Sequence, residues 1–212
     1  FIWVGKNLML TNTTMWISGW CMTCLVCLFQ PFMFIWVGKN LMLTNTTMWM
    51  FAIYFLVLKV GDIQAQYFDA AGLWWHKRWY AVAEAIVNII LNIVLGYFWG
   101  IAGVVLATII TVFFINFLFS SKILFKHYFH SGYKEYLLEQ MKYIFISIFN
   151  SGITFGVCIA LSKDYVNNRE AIIVMLERLL ICILIPNILY FIEYHRTKRF
   201  KESFQWFKTR IN

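Results

Sequence analysis

Apolar residues in this chain occur in runs of roughly twenty, separated by short polar segments. A helix rises about 1.5 Å per residue, so about twenty residues cross the roughly 30 Å hydrocarbon core of a bilayer. The pattern therefore predicts an all-α integral membrane bundle of about six transmembrane helices. The predicted spans are residues 15–37, 47–70, 79–98, 101–125, 141–161 and 171–194.

The composition is too apolar for a water-soluble globular domain. Of the 212 residues, 61% are hydrophobic and only 13% are charged, whereas soluble domains carry about 25% charged residues. The net charge of +8 would suit nucleic acid, but the basic residues lie in short segments between the apolar runs. That distribution is typical of membrane topology. We therefore expect membrane lipids, and no nucleic acid, as partners.

Basic residues occur in every second connection between the apolar runs, and the positive-inside rule places such connections in the cytoplasm. Both the N-terminal end and the C-terminus are then cytoplasmic. The connection between the fifth and sixth runs is predicted outside despite Lys163 and Arg169, because Asp164 and Glu170 accompany them. The residues behind the cytoplasmic assignment are Lys77, Arg78, Lys122, Lys126, Lys134 and six Lys or Arg residues between positions 196 and 210.

The first sixteen residues recur without change at residues 34–49. Solenoid repeats normally drift and occur at least three times, so we interpret the repeat as a recent duplication or a sequence-assembly error and place no function on residues 1–14. The chain begins with Phe1 and no signal-peptide pattern follows. We expect a fragment of a longer protein.

The rest of the chain divides by its apolar runs. The expected segments are 15–125 with four spans of one lobe, 126–140 as a cytoplasmic connection, 141–194 with two additional spans, and 195–212 as a basic amphipathic tail along the cytoplasmic leaflet.

Polar residues inside the second span follow helical spacing. Lys59, Asp62, Gln66 and Asp69 are three, four and three residues apart, which puts them on one face of a helix, with Gln64 off that stripe. A charge in hydrocarbon is costly and usually faces a bundle interior or a wet cavity. We interpret the stripe as one wall of a polar cavity. The alternative is that Lys59 pairs with Asp62 structurally and that Asp69 caps the helix end.

The third span carries a similar stripe. Glu84, Asn88 and Asn92 are each four residues apart on one face. They are candidates for the same cavity, although asparagines also hold transmembrane helices together.

The sixth span contains Glu177 and Arg178, which are adjacent and so point about 100° apart. Both cannot face one lumen, and Arg178 is the candidate substrate contact. The alternative is that it snorkels or pairs with a neighbouring helix. In the fifth span, a face of small polar residues is typical of close helix packing; its members are Ser147, Asn150, Ser151 and Thr154.

Three cysteines, Cys21, Cys24 and Cys27, are three residues apart in the first span. No histidine or second cysteine pair accompanies them in the sequence, and cysteine packs well as a small hydrophobe. The expectation is therefore that the protein has no metal site and no cofactor.

Three stretches and the order of the spans carry a family resemblance. The stretches are CLFQPFMFIWVGKNLML at 27–43, YFDAAGLWWHKRWYAVAEAIVNIILNIVL at 67–95 and GIAGVVLATII at 100–110. They include a Gly72-Leu73 loop, the helix with Asn88 and Asn92, and then Gly100 and Gly103. The chain resembles the C-terminal part of the polysaccharide flippases in the multidrug/oligosaccharidyl-lipid/polysaccharide exporter superfamily.

The resemblance implies a fourteen-helix, two-lobed transporter, of which this chain supplies spans nine to fourteen and lacks the N-terminal lobe. It further implies a bacterial cytoplasmic membrane location and an undecaprenyl-pyrophosphate-linked oligosaccharide as substrate. The transporter would work by alternating access, with cavity cations that attract the pyrophosphate. Lys59 and Arg178 are the intramembrane cations here, so most of that positive charge would come from the missing lobe.

Other functions remain open at this stage. Asp62, Asp69 and Glu84 would suit a drug or cation exporter of the same superfamily. A membrane-embedded acyl- or glycosyltransferase needs catalytic carboxylates or histidines at one membrane face, where the outer connections offer only Asp164 and Glu170. We therefore predict that the protein is not an enzyme. A fragment without activity of its own is the third alternative.

Overall fold

The computed structural model describes residues 2–130 and 132–195, with the backbone alone for residues 2–13. Its described part is all helical and contains no strand. The long helices are α1 (Ile2–Val37), α2 (Asn45–Ala71), α3 (Trp74–Ile110), α5 (Tyr133–Leu161) and α6 (Asn168–Tyr194). The shorter pieces are a 3₁₀ turn at Lys39–Leu41, a π-helical segment at Thr111–Leu118, α4 (Phe119–Leu124) and a second π-helical segment at Phe125–Phe129.

Five helical stretches of the described residues are long and apolar enough to cross a membrane. They are Thr14–Val37, Asn45–Ala71, Trp74–Phe129, Tyr133–Leu161 and Asn168–Tyr194. The predicted all-α class is thus confirmed, together with helices of membrane-spanning length. The predicted tail lies beyond residue 195, outside the described residues.

The stretch Trp74–Phe129 is too long for one crossing. Its 56 residues would extend about 84 Å as a straight helix. The backbone instead leaves helical geometry at Gly100, with φ 57° and ψ −135°, a region that glycine alone adopts without strain. Beyond it the chain returns along α3, so that the rings of Tyr80 and Phe119 stack with centroids 5.0 Å apart. The stretch is a helical hairpin, and its turn lies between the third and fourth predicted spans.

Glycine is also required where the two legs of the hairpin begin to separate. A Cβ atom on Gly103 would meet the backbone carbonyl of Leu95. The absence of a side chain at Gly103 therefore allows the legs to approach closely.

Capping residues explain several helix ends. The Thr44 hydroxyl accepts a hydrogen bond from the Thr47 amide at 3.3 Å, which caps the start of α2. Gly72, in the left-handed conformation at φ 63°, ends α2. Asn167 caps α6 by accepting a hydrogen bond from the Glu170 amide at 3.0 Å.

The two copies of the repeated sequence differ in structure. The first is helical from Ile2 onward, within α1. The second crosses the end of α1, turns at Gly38 with φ 78°, and enters α2 at Asn45. Residues 2–16 thus adopt a different conformation from their copy at 35–49, so the sequence repeat is not a structural repeat.

The helices form two compact units. The first contains α1, α6 and residues 147–161 of α5, and the second contains residues 43–146. In the first unit α1 packs on α6, and the Trp20 indole donates a hydrogen bond to the Cys182 carbonyl at 2.9 Å. This grouping places the first predicted span with the last two, whereas the sequence grouped it with the next three.

Large apolar side chains are exposed along both units. On α3 they include Ile86, Ile89, Ile90 and Ile93, and on α6 they include Leu176, Leu180, Leu184 and Ile188. Continuous apolar faces of this kind are disfavoured in water but are suited to lipid.

Candidate functional site: polar networks within the apolar helices

The second unit contains a partly buried chain of polar contacts between the legs of the α3 hairpin. The Lys77 ammonium donates to Asn116 Oδ1 at 2.7 Å, and Asn116 Nδ2 donates to Glu84 Oε1 at 3.2 Å. Asn116 therefore bridges a cation and an anion on α3. Helical spacing explains the alignment, because Lys77 and Glu84 are seven residues apart and lie on one face.

The same face continues toward the turn of the hairpin. Asn92 Nδ2 donates to Asn88 Oδ1 at 2.8 Å, and Asn88 Nδ2 donates to the Thr111 hydroxyl at 2.8 Å. The three predicted residues of the third span, Glu84, Asn88 and Asn92, thus all bond polar side chains. Two of these contacts cross between the legs of the hairpin, as interhelical hydrogen bonds do in membrane proteins.

Lys77 was predicted to lie in a cytoplasmic connection. The structure instead begins α3 at Trp74, and the side chain of Lys77 is 9% exposed. Its ammonium lies 5.4 Å from the Phe68 ring centroid and 5.5 Å from that of Trp74, within cation–π range. The aromatic rings and Asn116 compensate part of the cost of burying the charge.

Gln64 is a polar residue of α2 that faces the core of the second unit. It is 2% exposed and donates to the Ser121 hydroxyl and to the Tyr136 hydroxyl, the latter at 3.3 Å. Helical spacing puts Gln64 off the charged stripe of α2, and because it points in a different direction from the stripe it packs inside.

The charged stripe of α2 itself lies on the exposed side of the second unit. Lys59 and Asp62 form an ion pair at 2.7 Å, with side chains 40% and 57% exposed. Gln66 is exposed too. Asp69, also exposed, accepts a hydrogen bond from the Trp74 indole at 2.7 Å. The Lys59–Asp62 ion pair, which the alternative of a purely structural role requires, is present. The stripe faces away from the core of the unit.

Arg178 lies in the first unit and is buried, whereas its neighbour Glu177 is exposed. The two residues point in different directions, as their adjacency requires. The Arg178 guanidinium donates to the Ser162 hydroxyl at 3.2 Å and to the Cys27 carbonyl at 3.2 Å. It ties α6 to α1.

The small polar face of α5 packs against both other helices of the first unit. The hydroxyls of Thr23 and Ser151 lie 2.9 Å apart, and Asn150 donates to Glu193 at 3.1 Å. The Tyr190 hydroxyl donates to Ser147 at 3.3 Å. These contacts fit the packing role that the sequence indicated for this face.

A tyrosine lies in the connection that follows α5. The ring of Tyr165 packs edge-on against that of Phe34, with centroids 5.0 Å apart. Burial raises the pKa of the Tyr165 phenol above its ordinary value, so the hydroxyl stays protonated at neutral pH.

The second unit also has an open pocket of about 540 Å³, close to the turn of the hairpin. Its lining is almost entirely apolar. The pocket suits a hydrocarbon chain better than a charged headgroup. The lining residues are Phe51, Tyr54, Gly96, Gly100, Ile101, Val104, Val105 and Thr108.

Comparison of the chain with protein-family models, with curated proteins and with solved structures finds no match. Function is therefore inferred from the residues and their contacts. The sequence missed Asn116 and the burial of Lys77. The spacing of Lys77 from Glu84, two helical turns, was the signal that could have placed Lys77 on the polar face of α3.

Proposed function

We propose that the chain is part of a flippase that moves undecaprenyl-pyrophosphate-linked oligosaccharides across the bacterial cytoplasmic membrane. The observation that carries the proposal is the exposed charged stripe of α2, centred on the Lys59–Asp62 pair. The stripe lies in a helix long and apolar enough to span a membrane.

The position of the stripe along the helix indicates what it faces. Lys59 is close to the middle of α2, which runs from Asn45 to Ala71. A charged pair facing hydrocarbon at that depth would cost several kcal/mol, so such residues face a wet cavity or another protein segment. A two-lobed alternating-access transporter supplies both, because its substrate cavity lies near the midplane between the lobes. The missing N-terminal lobe would form the opposite wall.

The charges of the stripe suit an anionic headgroup that binds and is then released during transport. Lys59 is already neutralised by Asp62 at 2.7 Å, so the empty cavity holds no unpaired charge there. A pyrophosphate would compete with Asp62 for the Lys59 ammonium. When the pyrophosphate leaves, Lys59 pairs with Asp62 again and is not left as an unpaired charge. The partly buried network of Lys77, Asn116 and Glu84 ties the two legs of the hairpin together.

A drug or cation exporter is the second candidate. It is favoured by the two exposed carboxylates of the stripe, Asp62 and Asp69, which would hold a cation or proton. In that case Asp62→Asn would abolish transport and Lys59→Ala would leave most of it.

The experiment uses the full-length protein reconstituted in liposomes with a lipid-linked oligosaccharide in the inner leaflet. Lys59→Ala is expected to lower the flipping rate by about tenfold, the loss of roughly one charge-assisted contact. Lys122→Ala, which removes an exposed lysine of α4, is the matched control and should keep the wild-type rate. Equal rates for the two variants at equal reconstitution would remove Lys59 from the cavity. Transport of a cationic dye in place of the oligosaccharide would favour the exporter.

A further inference from the structure

Four of the five cysteines meet in the interior of the first unit, although they come from three helices. Cys27 of α1, Cys158 of α5 and Cys182 of α6 are each 0% exposed. Their sulfur atoms all lie within 4.8 Å of one another. Cys24 packs against this cluster one helical turn from Cys27. Cys27, Cys158 and Cys182 are called the sulfur triangle below.

We propose that the sulfur triangle binds one soft metal ion, and that this ion is Cu(I). The inference is independent of the proposed transport function. It also revises the expectation of no metal, which rested on α1 alone, because Cys158 and Cys182 are distant in sequence and reach Cys27 only in the folded unit.

The size of the triangle suits a metal. When three atoms lie within 4.8 Å of one another, some point is no farther than about 2.8 Å from each of them. Metal–sulfur bonds to thiolates are about 2.3 Å long, so each sulfur would move inward by roughly 0.5 Å. Small side-chain rotations supply that movement.

The number of ligands and their softness select the ion. Thiolates prefer Cu(I), zinc or iron–sulfur clusters. Zinc in structural sites takes four ligands almost without exception, whereas Cu(I) accepts three sulfur ligands in a plane. The structure brings three sulfurs to within 4.8 Å of one another, and Cys24, which packs beside them, is not among these three.

A guanidinium lies close to the triangle and offsets part of its charge. Cu(I) held by three thiolates carries two net negative charges, and three protons leave on binding. The Arg178 guanidinium donates to the backbone carbonyl of Cys27 at 3.2 Å and carries one positive charge. The arginine offsets one of those two charges, which lowers the cost of burial in an apolar setting.

Side chains from the facing helices hold the backbone of two ligands. Arg178 of α6 bonds the carbonyl of Cys27 on α1, and Trp20 of α1 bonds the carbonyl of Cys182 on α6 at 2.9 Å. These reciprocal contacts fix the separation of the helices at the triangle. Such outer contacts orient metal ligands in known sites.

The test uses the whole chain, expressed with copper in the medium and purified in detergent without oxygen, on an affinity tag free of histidine. We expect one copper per chain, with sulfur neighbours about 2.3 Å away in X-ray absorption. Cys158→Ser and Cys182→Ser should each lose the copper. Cys21→Ser, which changes a cysteine of α1 outside the triangle, should keep it.

A serine variant can lose copper simply by misfolding, so a second variant keeps all the sulfurs. Arg178→Gln should weaken Cu(I) binding about 10- to 100-fold in competition with a Cu(I) chelator. Copper below stoichiometric amounts in the wild-type chain would overturn the proposal, as would copper retained by a folded Cys158→Ser chain. Zinc in place of copper, or a disulfide between two of the triangle cysteines, would overturn it as well.

Discussion

The hairpin of α3 gives a sharp prediction about one methyl group. In Gly103→Ala the new Cβ would meet the backbone carbonyl of Leu95 and approach the amide of Gly96. Both neighbours are backbone atoms, which cannot move aside as a flexible side chain would. The change therefore forces the two legs of the hairpin apart.

The magnitude follows from two opposing effects. Alanine gains up to about 1 kcal/mol over glycine in a helix interior, while overpacking a well-packed site costs typically about 1–3 kcal/mol. Because the contact is with backbone, we expect the cost to dominate, with a net loss of about 1–2 kcal/mol. Gly61→Ala in α2 is the matched control, since its Cβ would have no neighbour within 4 Å, and it should gain stability.

The assay is reversible unfolding of the chain in mixed micelles by titration with sodium dodecyl sulfate, followed by circular dichroism. Amide hydrogen exchange around Gly100 provides a local readout, because opening of the hairpin should speed exchange there. The close approach of the two legs would be refuted if Gly103→Ala were as stable as Gly61→Ala and its amides near the turn stayed protected.

Two further predictions concern the polar and close contacts within each unit. In Gly19→Ala the new Cβ would meet the Tyr190 hydroxyl, so the variant should lose about 1–3 kcal/mol of stability in the same titration, unlike Gly152→Ala, whose Cβ lies in open space. Asn116→Leu should cost about 1–3 kcal/mol because it strands the buried ammonium of Lys77, whereas Lys77→Met combined with Asn116→Leu should cost clearly less than the sum of the single changes. Additive costs would show that the two side chains do not interact.

The length of the hydrophobic runs was sufficient to predict much of the fold. The hydrophobic runs gave long helices close to the observed ones, and the glycine pair at 100 and 103 marked the hairpin turn. The start of α3 was misplaced for a physical reason. Trp74 and Lys77 look like a polar, interfacial connection, but the aromatic rings of Phe68 and Trp74 allow Lys77 to continue the helix in a buried position.

The candidate site was harder to predict than the helices. Helical spacing placed Glu84, Asn88 and Asn92 on one face, but their partner Asn116 comes from the opposite leg of the hairpin. Spacing also showed that Glu177 and Arg178 diverge, yet which of them is buried depends on α1, whose Cys27 carbonyl accepts from Arg178. Contacts between helices are not encoded in the periodicity of either one, and the sulfur triangle escaped sequence analysis for that reason.

The central claim is that these helices cross a membrane and leave alternate connections on opposite sides. It is tested most directly by labelling single introduced cysteines in intact cells with a membrane-impermeant thiol reagent, with the unaltered chain as background. Exposed sites are needed, so Asn40 and Val166 serve for the outer connections, and Arg78 and Lys134, in the first turns of α3 and α5, serve for the cytoplasmic side. We predict labelling of Asn40→Cys and Val166→Cys in intact cells, and of Arg78→Cys and Lys134→Cys only after the membrane is permeabilised. Labelling of all four sites in intact cells, or the reverse pattern, would contradict the account.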